Sequence, residues 1–176
     1  LYPMNALAGD QARRLAKEIW NEPRLKGRVT AGLYVGGEGG DRAMGADHVI
    51  TDREILRKHP PDILLTNYKM LDQLLLREAD QEIWRQSATS LRYLVLDEFH
   101  TYDGAQGTDV AMLLRRLGLA LKSHWPKHDA EITPADRARP LGRITPVATS
   151  ATLGDKGDPG VMLEFAHTVF GEPFGD

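Results

Sequence analysis

Apolar and polar positions along this chain alternate between a helical period and short continuous runs. Leu7, Leu15 and Ile19 recur at near-helical spacing and Pro23 follows, which predicts a first helix from near Ala6 to Trp20. Arg28 to Val35 has strand character, and Gly36-Gly37-Glu38-Gly39-Gly40 ends it. Asp62-Ile63-Leu64-Leu65-Thr66 reads as a short strand after Pro60-Pro61. Asn67 is placed to cap the next helix, whose core side holds Met70, Leu71, Leu74 and Leu75. Another helix covers Gln81 to Gln86. Leu91 to Leu96 is the clearest strand, an almost unbroken apolar run that predicts cover on both faces. Val110, Leu113, Leu114, Leu117 and Leu121 then form one helical stripe, with Arg115 and Arg116 turned away from its centre. Ser123 to Pro140 is polar and holds three prolines, so a long loop is expected. Arg143 to Ala148 is a further strand. Asp158-Pro159 opens a last helix that ends before Gly171. There is no internal repeat. Alternating helix and strand signals predict an α/β fold with a largely parallel sheet.

The length of 176 residues suits one compact α/β domain with a real core. Lys plus Arg number 22 and Asp plus Glu 25, giving a formal net charge of −3. This balance does not advertise nucleic-acid binding, which often shows as a basic surplus. Nor does it exclude it, because net charge does not say where the charges sit. The absence of cysteine excludes disulfides, thiolate zinc sites and a cysteine nucleophile. No apolar run approaches membrane-spanning length, so no membrane partner is expected, and no signal-peptide pattern opens the sequence. Arg13, Arg14, Lys17, Arg115, Arg116, Arg137 and Arg139 are expected on solvated faces. The glycine-rich Gly36 to Gly45 segment lacks the Gly-Lys-Ser/Thr ending of a phosphate-cradling loop, as does Gly154-Asp155-Lys156-Gly157. The first reads as a flexible loop and the second as a turn.

Chemistry is concentrated in two places. In Leu94-Val95-Leu96-Asp97-Glu98-Phe99-His100, two carboxylates stand at the carboxyl end of an apolar strand, the edge where open α/β sheets bind ligands. Phosphoryl transfer needs a carboxylate to hold magnesium and a group to orient the attacking water. Asp97 suits the first role, through a water ligand, and Glu98 the second, as general base. The alternative is a plain acidic pair closing a strand. Ala148-Thr149-Ser150-Ala151-Thr152 also follows an apolar strand. Its hydroxyls can hydrogen-bond to a neighbouring carboxylate or histidine, or can simply form a Ser/Thr-rich turn.

The order of these two segments resembles motifs II and III of superfamily 2 DEAD/DEAH-box (DExH) helicases, in the manner of the large bacterial Lhr-like and YprA-like enzymes. Phe99-His100-Thr101-Tyr102, Gly107 and Arg115-Arg116-Leu117 look like the run that follows motif II in that group. Pro3-Met4-Asn5-Ala6-Leu7-Ala8 with Asp10-Gln11 looks like motif Ia, and Leu65-Thr66-Asn67-Tyr68 like motif Ib. Gly36-Gly37 stands where related enzymes have a glycine element near nucleic acid. The resemblance implies a RecA-like (P-loop NTPase) three-layer sandwich with a mainly parallel sheet. Residues 1–176 would be a partial first RecA-like domain, truncated at the N-terminus and lacking its Walker A motif, which is expected before Leu1. A second RecA-like domain is expected after Asp176.

The implied function is that of an ATP-dependent helicase or translocase, with ATP and Mg²⁺ as cofactors. Nucleic acid is the implied partner, DNA ahead of RNA, and the cytoplasm the expected compartment. Carried over by position, Asp97 holds the Mg²⁺ of MgATP and Glu98 activates the hydrolytic water. His100 couples the nucleotide site to motif III through Ser150, Ala151 and Thr152. Pro3, Asn5, Gly36, Gly37, Thr66 and Asn67 lie along the nucleic-acid path. His100 as a satisfied buried histidine and Asn67 as a plain helix cap remain open. The isolated chain is expected to hydrolyse negligible ATP. Two other functions stand beside this one: a degenerate RecA-like module that binds nucleic acid or a partner without hydrolysis, and an unrelated metal hydrolase built on Asp97, Glu98 and His100.

Overall fold

The computed structural model describes residues 1–37, 39–102, 104–150 and 159–171. In chain order they form α1 (Asn5–Asn21), β1 (Ala31–Tyr34), α2 (Arg53–Lys58), β2 (Ile63–Thr66), α3 (Tyr68–Leu76), a 3-10 turn (Glu78–Asp80) and α4 (Gln81–Ser87). Then come β3 (Tyr93–Leu96), a second 3-10 turn (Phe99–Thr101), α5 (Gly104–Ser123), α6 (Pro134–Ala138), β4 (Thr145–Ala148) and α7 (Pro159–Phe170). The chain divides into two compact units, Leu1–Gln86 and Ser87–Asp176.

In the first unit β1 and β2 pair in parallel, from Ala31 opposite Ile63 to Tyr34 opposite Thr66. Single bridges extend the ladder on either side, Ile50 beside Gly32 and Tyr2 beside Asn67. A Cβ on Gly32 would stand 2.4 Å from Leu56 Cδ2 and 3.0 Å from Pro61 Cγ, so a larger residue there would displace the buried Leu56 side chain. The face that α1 turns to β1 and β2 differs from the leucine stripe expected. Ala8, Ala12, Ala16 and Ile19 are buried, while Leu7 and Leu15 are only partly covered. Alanine ends at Cβ, so the helix backbone can approach the strands closely. Ala12, Ala16 and Ile19 share a core with Ala31, Val49 and Leu65.

Helix α2 has no counterpart in the hydrophobic pattern, because it is six residues long and buries only Leu56. Its cap is explicit: Asp52 accepts the Ile55 N–H at 2.9 Å. Glu54 in the first turn and Arg57 and Lys58 in the last suit the helix dipole. Asn67 caps α3 as expected, accepting from Met70 N–H at 2.7 Å, and Met70, Leu71 and Leu74 are buried behind it.

In the second unit β3 and β4 pair in parallel, from Tyr93 opposite Thr145 to Leu96 opposite Ala148. The expected parallel pairing is thus present, as two separate two-stranded sheets among the described residues. Strand β3 is not covered on both faces. Leu94 and Leu96 are buried, but Tyr93 is 67% and Val95 41% exposed. Successive side chains of a strand point to opposite faces, so one β3 face packs inward and the other meets solvent.

The predicted stripe of α5 is buried, and α5 packs on α7. Arg115 departs from its expected solvated face. Its guanidinium donates to the carbonyls of Val169 (2.9 Å) and Thr168 (3.3 Å), meeting carbonyls that a helix C-terminus leaves without partners. Arg137 donates to the Pro126 carbonyl at 2.8 Å and lies 5.7 Å from the Trp125 ring. The expected loop 123–140 contains α6, opened by a Thr133–Asp136 capping box. That segment buries Trp125 and Ile132 with Ala88, and the Trp125 Nε1–H donates to the Ala88 carbonyl at 2.7 Å. No helix among the described residues is long and apolar enough to cross a membrane.

Candidate functional site

The acidic turn begins where β3 ends. Leu96 is fully buried and Asp97 and Glu98 are half-buried. The ladder continues past both strands: Thr149 N–H donates to the Leu96 carbonyl and Phe99 N–H to the Thr149 carbonyl, each at 2.9 Å. Glu98 has φ 52°, the only positive φ of a non-glycine residue among those described. L-residues enter this left-handed region at a cost that recurs at functional sites. Packing holds the turn there. Phe99 is 1% exposed, stacks on Phe170 at 5.7 Å and tilts against Phe165 at 4.9 Å. The Thr101 hydroxyl donates to the Glu98 carbonyl at 2.8 Å.

Side chains from the two strand ends meet directly. The Thr149 hydroxyl donates to Asp97 Oδ1. His100 Nδ1 lies 2.8 Å from Ser150 Oγ and 3.5 Å from Glu98 Oε2. The turn after β3 and the turn after β4 therefore form one group. Ser150 stands where the sequence placed it, against His100, whose ring is hydrogen-bonded and only partly buried. Ala151 and Thr152 lie outside the described residues. Thr149 is the residue that sequence reasoning did not single out. The register places it: Leu96 lies opposite Ala148, so the next residues, Asp97 and Thr149, fall side by side. Half-buried carboxylate oxygens, one already fixed by a hydroxyl, suit a hard cation such as magnesium, which takes one or two carboxylates and keeps several waters. Among the described residues no group of three or more His, Asp or Glu side chains is arranged to hold a metal ion.

The other predicted residues gather in the first unit, at the carboxyl ends of β1 and β2. The Thr66 hydroxyl donates to the Tyr34 carbonyl at 2.7 Å, and Tyr2 N–H donates to the Thr66 carbonyl at 3.0 Å. Asn67 both caps α3 and donates through Nδ2 to Asn5 Oδ1. A Cβ on Gly36 would stand 3.8 Å from Asn5 Nδ2. Asn5, Gly36 and Asn67 thus adjoin, and Pro3 lies in the partly exposed turn before α1.

Hydrogen bonds hold the described residues of the glycine segment, which differs from the flexible loop expected. Gly37 has φ +106°, which L side chains rarely adopt. Gly40 N–H and Asp41 N–H donate to Thr51 Oγ1 at 3.1 and 3.0 Å. Arg53 Nη2 donates to the Gly37 carbonyl at 2.7 Å and reaches the Val35 carbonyl at 3.4 Å. Together with Tyr34, these residues line a cavity of about 240 Å³. Beneath it, the Tyr34 hydroxyl donates to Asp80 at 2.8 Å, and Arg57 Nε donates to the same oxygen at 2.6 Å. Burial, reinforced by Asp80, raises the Tyr34 pKa, and the hydrogen bond to Asp80 raises that of Arg57.

The model of the DEAD/DEAH box helicase family matches residues 1–157. Druantia protein DruE of Escherichia coli is 32% identical over 142 residues, which are 74% of this chain and 7% of that protein. The uncharacterized ATP-dependent helicase YprA of Bacillus subtilis is 33% identical over 117 residues, 66% of this chain and 14% of that one. The crystal structure of the DUF1998 helicase MrfA bound to DNA superposes with a TM-score of 0.62 at 25% identity, covering 98% of this chain and 18% of the other. The chain therefore spans less than a fifth of each of these proteins. The fold is that of a RecA-like helicase domain, and the chain belongs to the DEAD/DEAH box helicase family.

Proposed function

We propose that this chain is a partial first RecA-like domain of an ATP-dependent nucleic-acid helicase or translocase, working with a second RecA-like domain in a longer cytoplasmic protein. The single observation that carries the reading is the joined turn, in which Thr149 meets Asp97 while Ser150 meets His100. A carboxylate pair at a strand end is common. Here one carboxylate and the following histidine each meet a hydroxyl after the adjacent parallel strand, an arrangement suited to sensing a bound nucleotide.

In this reading Asp97 holds Mg²⁺, which when bound neutralises charge on the ATP phosphates. Thr149 orients Asp97 by occupying one of its oxygens. Glu98, held by the unusual backbone of its turn, accepts a proton from the attacking water at its carboxylate. His100 lies within reach of both Glu98 and Ser150, so displacement of either hydroxyl or carboxylate alters the other's partner. Asn5, Gly36, Gly37, Thr66 and Asn67, with Pro3, form the nucleic-acid face, gripping the sugar-phosphate backbone without reading sequence. DNA is the favoured substrate, a reading supported by the DNA-bound state of the similar helicase MrfA.

The test is ATP turnover by the full-length protein with and without single-stranded DNA. Glu98→Gln is expected to lower turnover by about 10²–10⁴-fold, the usual contribution of a general base, while nucleotide and DNA binding persist. These 176 residues contain no Gly-Lys-Ser/Thr sequence, and alone they are expected to show negligible turnover. Near-normal hydrolysis by Glu98→Gln would overturn the assignment. A full-length protein that binds DNA but never hydrolyses ATP would instead favour a degenerate binding module.

A further inference from the structure

A loop holding Gly36, Gly37, Gly39 and Gly40 has no side chains of its own with which to stay ordered at those positions. Glycine also loses more conformational freedom on ordering than any other residue. Left to itself, such a loop would pay that entropy each time it bound a ligand. Here the cost is met in advance by three consecutive residues at the start of α2. Thr51 takes the N–H groups of Gly40 and Asp41 at the far end of the loop. Arg53 takes the carbonyls of Gly37 and Val35 at the near end. Asp52 between them caps α2 and fixes the base from which both neighbours reach.

Arg53 in turn rests on a buried support. Its guanidinium lies 5.6 Å from the centre of the Tyr34 ring, and Tyr34 is 1% exposed. The ring is tied at its hydroxyl to Asp80, which also takes Arg57, and its carbonyl is tied to Thr66. A planar guanidinium can lie against a ring and donate in its own plane at once, which an ammonium cannot. The direction of the bonds has a consequence for an anion. Trans peptides hold C=O and N–H on opposite sides, and no peptide bond described is cis. Fixing the Val35 carbonyl on Arg53 therefore turns the Gly36 N–H away from Arg53. The electron-rich side of the loop faces its own cation. Gly36 also lies beside Asn5, since a Cβ there would stand 3.8 Å from Asn5 Nδ2.

We propose that Arg53 is a positioning residue: it holds the Gly36–Gly37 turn in the shape that receives a nucleic-acid phosphate, without itself contacting the strand. This rests on the nucleic-acid reading of the Asn5, Gly36 and Asn67 face. Contact by Arg53 and positioning by Arg53 differ in salt dependence. Each cation lost from a phosphate contact lowers the slope of log affinity against log salt by about 0.7–0.9, whereas loss of a brace lowers affinity and leaves the slope alone.

The experiment measures binding of a fluorescein-labelled oligo-dT strand to the full chain over a salt series, together with hydrogen exchange. Arg53→Ala is expected to weaken binding about ten-fold, the lower end of what losing an outer partner costs at metal sites, where such effects are best known. The salt slope should stay at the wild-type value. Exchange should rise in residues 36–41 and stay unchanged in α1 and β2. Arg53→Lys should recover part of the affinity, since it can reach a carbonyl but cannot lie against Tyr34. That variant carries the test if Arg53→Ala does not fold. Wild-type affinity in Arg53→Ala, a slope reduced by about one, or loss of protection throughout Leu1–Gln86 each overturns the proposal. Asn5→Ala and Gly37→Ala separate the two levels. If both bind like wild type, the nucleic-acid reading fails. If they weaken binding while Arg53→Ala does not, only the role of Arg53 falls.

Discussion

The two units hold their loops in shape by opposite means. In Leu1–Gln86 the shape is set by polar groups. Thr66, Asn67 and Asp80 are the buried polar side chains among the described residues, and all three belong to this unit. Each bonds to backbone or to a side chain next to the Asn5–Gly36–Asn67 face. In Ser87–Asp176 the polar groups of the site are half-exposed, and aromatic packing fixes the turn that carries them. Phe99 and Phe170 are at most 1% exposed, Tyr102 is fully buried, and Phe165 packs on Phe99. The difference suits the tasks proposed. A face for a sugar-phosphate backbone needs a fixed set of donors, which hydrogen bonds to buried groups specify directionally. A pair of carboxylates that must exchange protons and metal ligands has to stay solvated, so the rigidity comes from behind.

The largest effect that would sharpen this contrast comes from the aromatic anchor. Phe99→Ala is expected to destabilise by about 3–5 kcal/mol, the usual cost of emptying a large buried aromatic site. Hydrogen exchange should accelerate in peptides from residues 87–150, with residues 1–86 spared. Equal loss of protection in both units would break the comparison. Next is the buried network of the first unit. Arg57→Ala leaves Asp80 without its cation. A wholly buried pair would lose roughly 3–5 kcal/mol, but Arg57 keeps some contact with water, so about 2–3 kcal/mol is expected in urea denaturation. Unchanged stability would show that Tyr34 alone satisfies Asp80.

The smallest effect is a pH dependence. The Asp62 carboxylate accepts from both the N–H and the hydroxyl of Thr30 at 2.8 Å, and these bonds hold its pKa below the ordinary aspartate value. A depressed folded pKa means that the stabilisation is present above the unfolded value and is lost as pH falls through the folded one. Stability measured by thermal melting should therefore decline below the ordinary aspartate range. Asp62→Asn should lower the melting temperature slightly at neutral pH and flatten that acid limb. An acid limb identical to wild type would remove Asp62 from the account.

Much of the candidate site was legible before any coordinates, for definite reasons. Asp97 and Glu98 stand out because strand β3 is apolar up to Leu96 and then stops. Asn67 stands out because a capping residue sits between a strand run and a helical stripe. Arg53 and Thr51 gave no such signal, since their partners are backbone atoms of a glycine loop ten or more residues away. Thr149 was hidden for a milder reason, one residue upstream of the motif letters that drew attention. The 123–140 segment and Arg115 differ from expectation because a polar, proline-bearing stretch and a helical arginine both look solvated until a distant carbonyl is brought to them.

Local chemistry by itself determined the main helices and strands, though not the short α2 and α6, and it determined where the carboxylates and hydroxyls fall at strand ends, and hence the family. These depend on periodicity and on neighbours a few residues apart. Tertiary structure alone decided which strand lies beside which, that Thr149 rather than a later hydroxyl meets Asp97, that alanines rather than leucines face the first sheet, and that an arginine shapes the glycine loop. Each of those is a contact between positions far apart in the chain, and pairing across such distances is set by packing and register, which no local pattern encodes.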